Sequence, residues 1–255
     1  MTKYIALISG KGGVSKTTSS INLGSALNYF GKDVTIVDAN LTTPNIGVYL
    51  GVPVVPINLH HVLQGKNHIS EAVYLHPSGT KIIPASLSLE DLRKTNPDNL
   101  KRALRGLNGT TDIVLIDCAA GLGREAILAL DSCEEALIVT NPELPAVTDA
   151  LKTIKLAESL GKKITGVIVA RKRDNTDLAI KNIESLLEHK VIGIIPEDKA
   201  IRESLIRKDP VVYTHPRSES AIAYKRLAAD MLGYNYSEET QKQGFFSRLF
   251  KKFNR

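Results

Sequence analysis

The chain has only two cysteines, Cys118 and Cys133, in 255 residues. That excludes a disulfide framework and fits a reducing compartment, so the pair is read as two buried small residues. No apolar run approaches the roughly 18–20 residues that span a bilayer. No basic-then-apolar leader precedes the run at residues 4–8, which is too short and passes straight into a glycine-rich stretch; the expected location is cytoplasmic. The body also lacks an excess of either charge. Net charge is +6, but Lys242, Arg248, Lys251, Lys252 and Arg255 follow Thr240 with no acid among them, leaving 28 basic against 27 acidic residues before it. A broad nucleic-acid surface needs basic excess on the body, so nucleic acid is not an expected partner. Phenylalanine is nearly absent from the body, since four of the five lie beyond residue 244.

What is present is a regular alternation. Apolar runs at residues 4–8, 34–37, 81–83, 113–116, 135–139, 164–169 and 191–194 read as buried strands. Helical periodicity at 17–30, 98–107, 124–131, 146–160, 177–189, 199–207 and 219–232 separates them. No internal repeat or low-complexity linker interrupts the chain before residue 233, and 43% hydrophobic content is enough for one large core. The alternation implies right-handed crossovers and a mostly parallel sheet covered on both faces. Ligands of such sheets bind beyond the carboxyl ends of the strands.

At the first of those ends stands Ser9-Gly10-Lys11-Gly12-Gly13-Val14-Ser15-Lys16-Thr17-Thr18. Strand, glycine-rich turn, Lys-Thr and helix is the layout of a phosphate-binding loop. Glycines let backbone N–H groups turn toward phosphate oxygens, Lys16 adds a point charge, and Thr17 offers a hydroxyl to Mg²⁺. The nucleotide-binding residues expected are therefore Gly10, Lys11, Gly12, Gly13, Val14, Ser15, Lys16, Thr17 and Thr18. The strict motif has glycine where this chain has Ser15, which puts a Cβ where backbone should approach phosphate. The expected fold class is a P-loop NTPase three-layer α/β/α sandwich with a mostly parallel sheet.

Lys11, directly after the first glycine, is not needed to cradle phosphate within one subunit. The run Lys11-Gly12-Gly13-Val14-x-Lys16-Thr17-Thr18 resembles the deviant P-loop of the MinD/ParA ATPases, and the resemblance covers about residues 3–232. It implies ATP and Mg²⁺ as cofactors and a homodimer formed on ATP, in which Lys11 reaches the partner's nucleotide. Asp38 follows the second strand, where a carboxylate can bind Mg²⁺ through water or orient the attacking water; it can also simply cap a turn. The family usually reads Asp-x-Asp here, and this chain has Asn40, an amide that can hold a water but cannot accept its proton, so that compensation by another acid such as Glu125 or Glu143 stays open. Catalysis is thus assigned to Lys11, Lys16, Asp38 and Asn40, with slow hydrolysis expected. Asp117, delivered by an apolar strand, completes a metal set with Thr17 and Asp38. Gly121 occupies the place of the family's phosphate-sensing loop and reads as a hinge. Asp149 resembles a partner-docking position, or serves as a first-turn acid favoured by the helix dipole. Ala170 stands where the family commonly has a base-reading Asn, which shifts base contact to the backbone around Pro196 and Asp198. His60, His61, His68 and His76 lack metal-ligand spacing and are expected at the surface.

Residues 1–234 are read as the ATPase domain, 235–243 as a polar linker and 244–255 as an amphipathic helix. Phe245, Phe246, Leu249, Phe250 and Phe253 share one helical face, and Arg248, Lys251 and Lys252 the other. That is the pattern of a helix lying in an anionic membrane interface, and it resembles the membrane-targeting helix of the MinD branch. A helix docked on its own domain or on a partner is the alternative. The resemblance implies a membrane-switching ATPase, peripheral at the inner face of the cell membrane, that positions protein partners of the division or polarity machinery. Three other readings stay open. A non-hydrolysing nucleotide-bound scaffold is favoured by Ser15, Asn40 and Ala170. A ParA-type DNA partitioning ATPase is disfavoured by the neutral body. An iron–sulfur carrier of the related type is disfavoured by the absence of a C-x-x-C pair.

Overall fold

A computed structural model describes residues 2–173 and 177–236. The expected membrane helix at 244–255, with Phe245, Phe246, Arg248, Leu249, Phe250, Lys251, Lys252 and Phe253, lies outside the described residues. The first half of the chain runs β1 (Lys3–Ile8), α1 (Lys16–Tyr29), β2 (Val34–Ala39), α2 (Ile46–Tyr49), α3 (Leu59–Leu63), β3 (Tyr74–Leu75), β4 (Lys81–Ile83), α4 (Leu89–Lys94) and α5 (Leu100–Leu104). The second half runs β5 (Ile113–Cys118), α6 (Arg124–Asp131), β6 (Glu135–Thr140), α7 (Leu144–Ser159), β7 (Lys163–Lys172), α8 (Ile180–Leu187), β8 (Val191–Pro196), α9 (Lys199–Ile206), α10 (Val211–Thr214) and α11 (Glu219–Leu232).

The strands form one eight-stranded sheet in the order β3-β4-β2-β5-β1-β6-β7-β8. Every pairing is parallel except that of the two-residue edge strand β3 with β4. Side chains alternate along each strand, so both sheet faces are apolar. Ile5 and Leu7 join Ile36, Leu115 and Leu137 beneath α1 and α11. Ala6 and Ile8 join Val37, Ile116 and Ile138 beneath α5, α6 and α7. Each fully buried Leu or Ile contributes on the order of 1.5–3 kcal/mol, which fixes the register that carries the loops described below. The result is the expected α/β/α sandwich.

Several sequence expectations need correction. The helix expected over residues 98–107 is a broken one: short 3₁₀ turns flank α5 at Pro97–Asn99 and Arg105–Leu107. Asn96 caps the first turn through Asp98 N–H at 3.1 Å. In the last, a Cβ on Gly106 would meet Ile69 at 2.7 Å, so this turn is shaped by tertiary contact rather than by periodicity. The short helices α2, α3, α4 and α10 and strand β3 have too few residues for a periodic signal. Two of the four histidines are not at the surface. His60 is completely buried and His76 nearly so. His60 Nδ1 accepts the Ser86 N–H at 2.9 Å, and burial pushes its pKa down. Asp149 is not in a first helical turn, because α7 begins at Leu144 with a proline in its first turn. Both cysteines are buried and free, as expected.

After α11 the chain turns through Gly233 in a left-handed conformation (φ 70°). The rings of Tyr234 and Tyr236 then pack edge-on against Phe30, with centroids 6.1 and 5.6 Å away. The packed body thus continues to Tyr236, held against the far end of the helix that follows the glycine-rich loop.

Candidate functional site

Strand β1 lies between β5 and β6, and β2 lies on the other side of β5. The carboxyl ends of β1, β2 and β5 therefore deliver three loops to one place. Between them is a cleft of about 530 Å³ whose lining includes Gly12, Gly13, Ser15, Lys16, Thr17, Thr18, Asn40, Thr42 and Glu125. Of the residues expected to bind nucleotide, Gly10, Lys11, Val14, Pro196 and Asp198 do not line it. Val14 is buried. Lys11 is half-buried, and among the described residues its ammonium has no partner. Asp198 caps α9 through Ala200 N–H at 2.8 Å and holds the Ser220 hydroxyl at 2.7 Å, so its side chain joins α9 to α11.

The floor of the cleft is a compact charged cluster. Lys16 Nζ lies 2.8 Å from Asp117 Oδ1, both groups being buried. The Ser20 hydroxyl donates to the same oxygen at 2.8 Å, and the Thr17 hydroxyl donates to Oδ2 at 2.6 Å. Burial alone would lower the Lys16 pKa, but the ion pair with Asp117 outweighs it and the net shift is upward. Asp38 lies directly across from Asp117 in the β2–β5 register. Its Oδ2 accepts the N–H groups of Asn45 and Ile46, each at 2.9 Å, and its Oδ1 accepts that of Asn40 at 3.3 Å. Complete burial and the facing charge of Asp117 raise the Asp38 pKa to about 7, against those hydrogen bonds and Lys16. The capping role that the sequence left open for Asp38 is therefore visible here.

These groups suit a hard cation. Thr17 and Asp117 present oxygens side by side, with Asp38 behind them. Among the described residues no group of three or more His, Cys, Asp or Glu could hold a metal. An ion here would complete its shell with waters and phosphate oxygens, which is how Mg²⁺ binds and not how Zn²⁺ does.

Ser15 has φ 70° and ψ 27°, a left-handed conformation that costs a non-glycine residue about 1 kcal/mol. The turn thus demands what the strict motif supplies with glycine. Ser15→Gly should raise the ligand-free melting temperature by about 2–4 °C, since roughly 1 kcal/mol is worth that in a domain of this size. A thermal melt checks it, and an unchanged or lower midpoint would show that the serine is unstrained. Gly121 is also left-handed (φ 84°), and its N–H donates to Ser9 O at 2.9 Å, tying the loop after β5 to the phosphate loop.

Three contacts were missed by sequence reasoning. Gly10 is pressed against α7: a Cβ there would lie 2.3 Å from the Asp149 carbonyl oxygen. With its amide nitrogen toward two carbonyls, buried Asn141 donates to Val14 O at 3.3 Å and Ala170 O at 3.2 Å, bridging the phosphate loop to β7. Glu125 reaches Thr42 across the cleft. An asparagine directly after a buried strand and before proline was the available signal for Asn141; nothing local marks the other two.

Comparison with known proteins agrees with this geometry. An uncharacterized ATP-binding protein of Methanocaldococcus jannaschii is 39% identical over 254 residues, covering 98% of this chain and 96% of that one. The crystal structure of the Pyrococcus furiosus cell division ATPase MinD superposes with a TM-score of 0.88 at 36% identity, over 91% of this chain and 99% of that one. The septum site-determining protein MinD of Pyrococcus horikoshii, complexed with Mg-ADP, gives a TM-score of 0.87 at 37% identity, over 91% and 96% of the two chains. Residues 5–211 match the model of the CobQ/CobB/MinD/ParA nucleotide binding domain, and this chain belongs to that family.

Proposed function

We propose that this chain is a MinD-like ATPase that dimerises on ATP, associates with anionic membrane and positions protein partners in cell division or polarity. The observation that carries the reading is the Lys16–Thr17–Asp117 cluster at the floor of a cleft roofed by the glycine-rich loop. ATP phosphates enter against Gly12 and Gly13, and Lys16 turns from Asp117 to the outer phosphates. Thr17 and Asp117 hold Mg²⁺, which supplies charge neutralisation on the phosphate oxygens. Lys11, whose ammonium has no partner among the described residues, extends to the nucleotide of a second copy. Gly121, hydrogen-bonded to Ser9, lets the loop after β5 follow the terminal phosphate. The base rests near the backbone of Pro196 and Asp198.

The tail adds the membrane step. One short basic-aromatic helix binds weakly, and two on a dimer gain roughly 10²–10⁴-fold through effective concentration. ATP thus favours the membrane-bound dimer, and hydrolysis releases it. Co-sedimentation with anionic liposomes tests this in ATP, in ADP and without nucleotide, for the full chain and for a chain ending at Gln243. Pelleting is expected to need both ATP and the tail. Equal pelleting in all three conditions would make the tail a constitutive anchor, and no pelleting would assign the phenylalanine face to a protein partner.

One observation favours a second reading, a nucleotide-held scaffold without turnover. The Asn40 side chain donates to Thr43 O at 2.6 Å and accepts from the Thr43 hydroxyl at 3.1 Å, so it is folded into its own loop. Phosphate release from the full chain separates the two.

A further inference from the structure

We propose that Glu125 is the carboxylate that accepts the proton of the attacking water, in place of the acid that Asn40 cannot supply. The proposal rests on the hydrolytic part of the function proposed above. Among the described residues lining the cleft, Glu125 is the one carboxylate. Asp38 and Asp117 lie beneath the floor, fully buried, with their oxygens engaged by backbone N–H groups and by Lys16, Thr17 and Ser20.

Glu125 sits in the first turn of α6 and crosses to the loop that carries Asn40. Its Oε2 accepts the Thr42 N–H at 3.3 Å, and its Oε1 accepts the Thr42 hydroxyl. The carboxylate is thereby tied to the 40–43 loop within the lining of the cleft. A carboxylate has about four acceptor positions, so these two bonds leave capacity on each oxygen for a water. The neighbouring Arg124 also lines the cleft, but its guanidinium pairs with Asp98 Oδ2 at 2.6 Å, and among the described residues no ion pair joins it to Glu125. A base held in this way needs little reorganisation when the reaction begins.

In the step proposed, the water oxygen bonds to the γ-phosphorus of a nucleoside triphosphate. The bond from that phosphorus to the β–γ bridging oxygen breaks, and its electron pair leaves with the diphosphate. The water's proton passes to Glu125, which stays a neutral acid until it releases the proton to solvent. Glu125 thus performs from α6 what an acid at position 40 would perform from β2.

The test measures phosphate release and binding of a fluorescent ATP analogue for the full chain and for Glu125→Gln, Asn40→Asp and the double variant. Glutamine keeps an acceptor for Thr42 but cannot take the proton. Glu125→Gln is expected to release phosphate about 10²-fold more slowly, with analogue affinity and melting temperature unchanged. The double variant should recover turnover, because Asn40→Asp returns a carboxylate to the cleft. Thr42→Val, which removes the hydroxyl but keeps the Thr42 N–H and the carboxylate, should slow release much less than Glu125→Gln does. If Glu125→Gln matches a wild type that does turn over, the assignment to Glu125 is wrong and the hydrolytic reading stands. If Glu125→Gln loses analogue binding and Thr42→Val loses turnover equally, Glu125 only positions the loop and the proposal is overturned. If the wild type releases no phosphate while Asn40→Asp does, the hydrolytic reading itself falls, and the proposal with it.

Discussion

Lys16→Ala is expected to lower the ligand-free melting temperature by on the order of 10 °C at pH 8, and by less at pH 5. Among the described residues the side chain is the one cation paired with Asp117, and Asp38 lies across the strand register from that carboxylate. Removing it leaves two buried carboxylates facing each other, and breaking a buried pair costs roughly 3–5 kcal/mol. The pH dependence follows from Asp38. Its pKa is already raised to about 7 from an ordinary 3.8, by burial first and by the charge of Asp117 second. Between those values the folded protein binds more protons than the unfolded chain, so stability falls as pH rises through this window. Lys16 opposes that rise, and its loss widens the window. At pH 5 Asp38 is protonated in both proteins, so the part of the difference that comes from the two facing charges closes while the loss of the Lys16–Asp117 pair remains. A deficit equal at pH 5 and pH 8 would show that the cluster is stabilised by packing and not by charge. Affinity for nucleotide should be lost at both pH values, because the phosphate-facing charge is gone.

Gly10→Ala and Gly12→Ala should fail in opposite ways. At Gly10 the added methyl would lie 2.3 Å from the Asp149 carbonyl oxygen, and neither the β1 end nor α7 can retreat without disturbing the core. Forced overpacking of this kind costs about 1–3 kcal/mol, so Gly10→Ala should melt several degrees lower and also misplace the loop. At Gly12 nothing lies within 4 Å of the added methyl. Gly12→Ala should therefore melt with the parent protein, while the methyl stands in the cleft where phosphate enters and lowers nucleotide affinity. Melting curves and a binding titration on both variants read the contrast. Equal melting temperatures would deny the Gly10–α7 contact, and unchanged affinity in Gly12→Ala would move the phosphate away from that turn.

The same pair of glycines shows how far the sequence could be read. In the motif, Gly10 and Gly12 look alike, two positions where backbone approaches a ligand. The fold separates them, because α7 returns over the loop from more than 130 residues downstream and touches only Gly10. Asn40 and Glu125 diverge in the same way. The exchange of acid for amide at position 40 is legible in the chain, but its side chain's turn onto Thr43 is not. Glu125 could be named from the chain, beside Glu143, as an acid to stand in for Asn40, but its reach to Thr42, 83 positions earlier, could not. The four histidines offered no pattern at all, and burial of His60 against Ser86 emerged only from packing.

By itself, the sequence determined every strand but β3, most of the helices, the parallel three-layer architecture, the glycine-rich loop and the family. Each of these is written in short-range terms: apolar runs a few residues long, helical periodicity, and ten consecutive residues of motif. Only the tertiary structure decided which groups meet at the cleft. The order β2-β5-β1 sets the ends of three strands side by side. That placement gives Lys16 its partner 101 positions away, sets Asp38 against Asp117 and brings Glu125 to Thr42. These pairings depend on strand order and on buried charge, and neither quantity is carried by any local stretch of the chain.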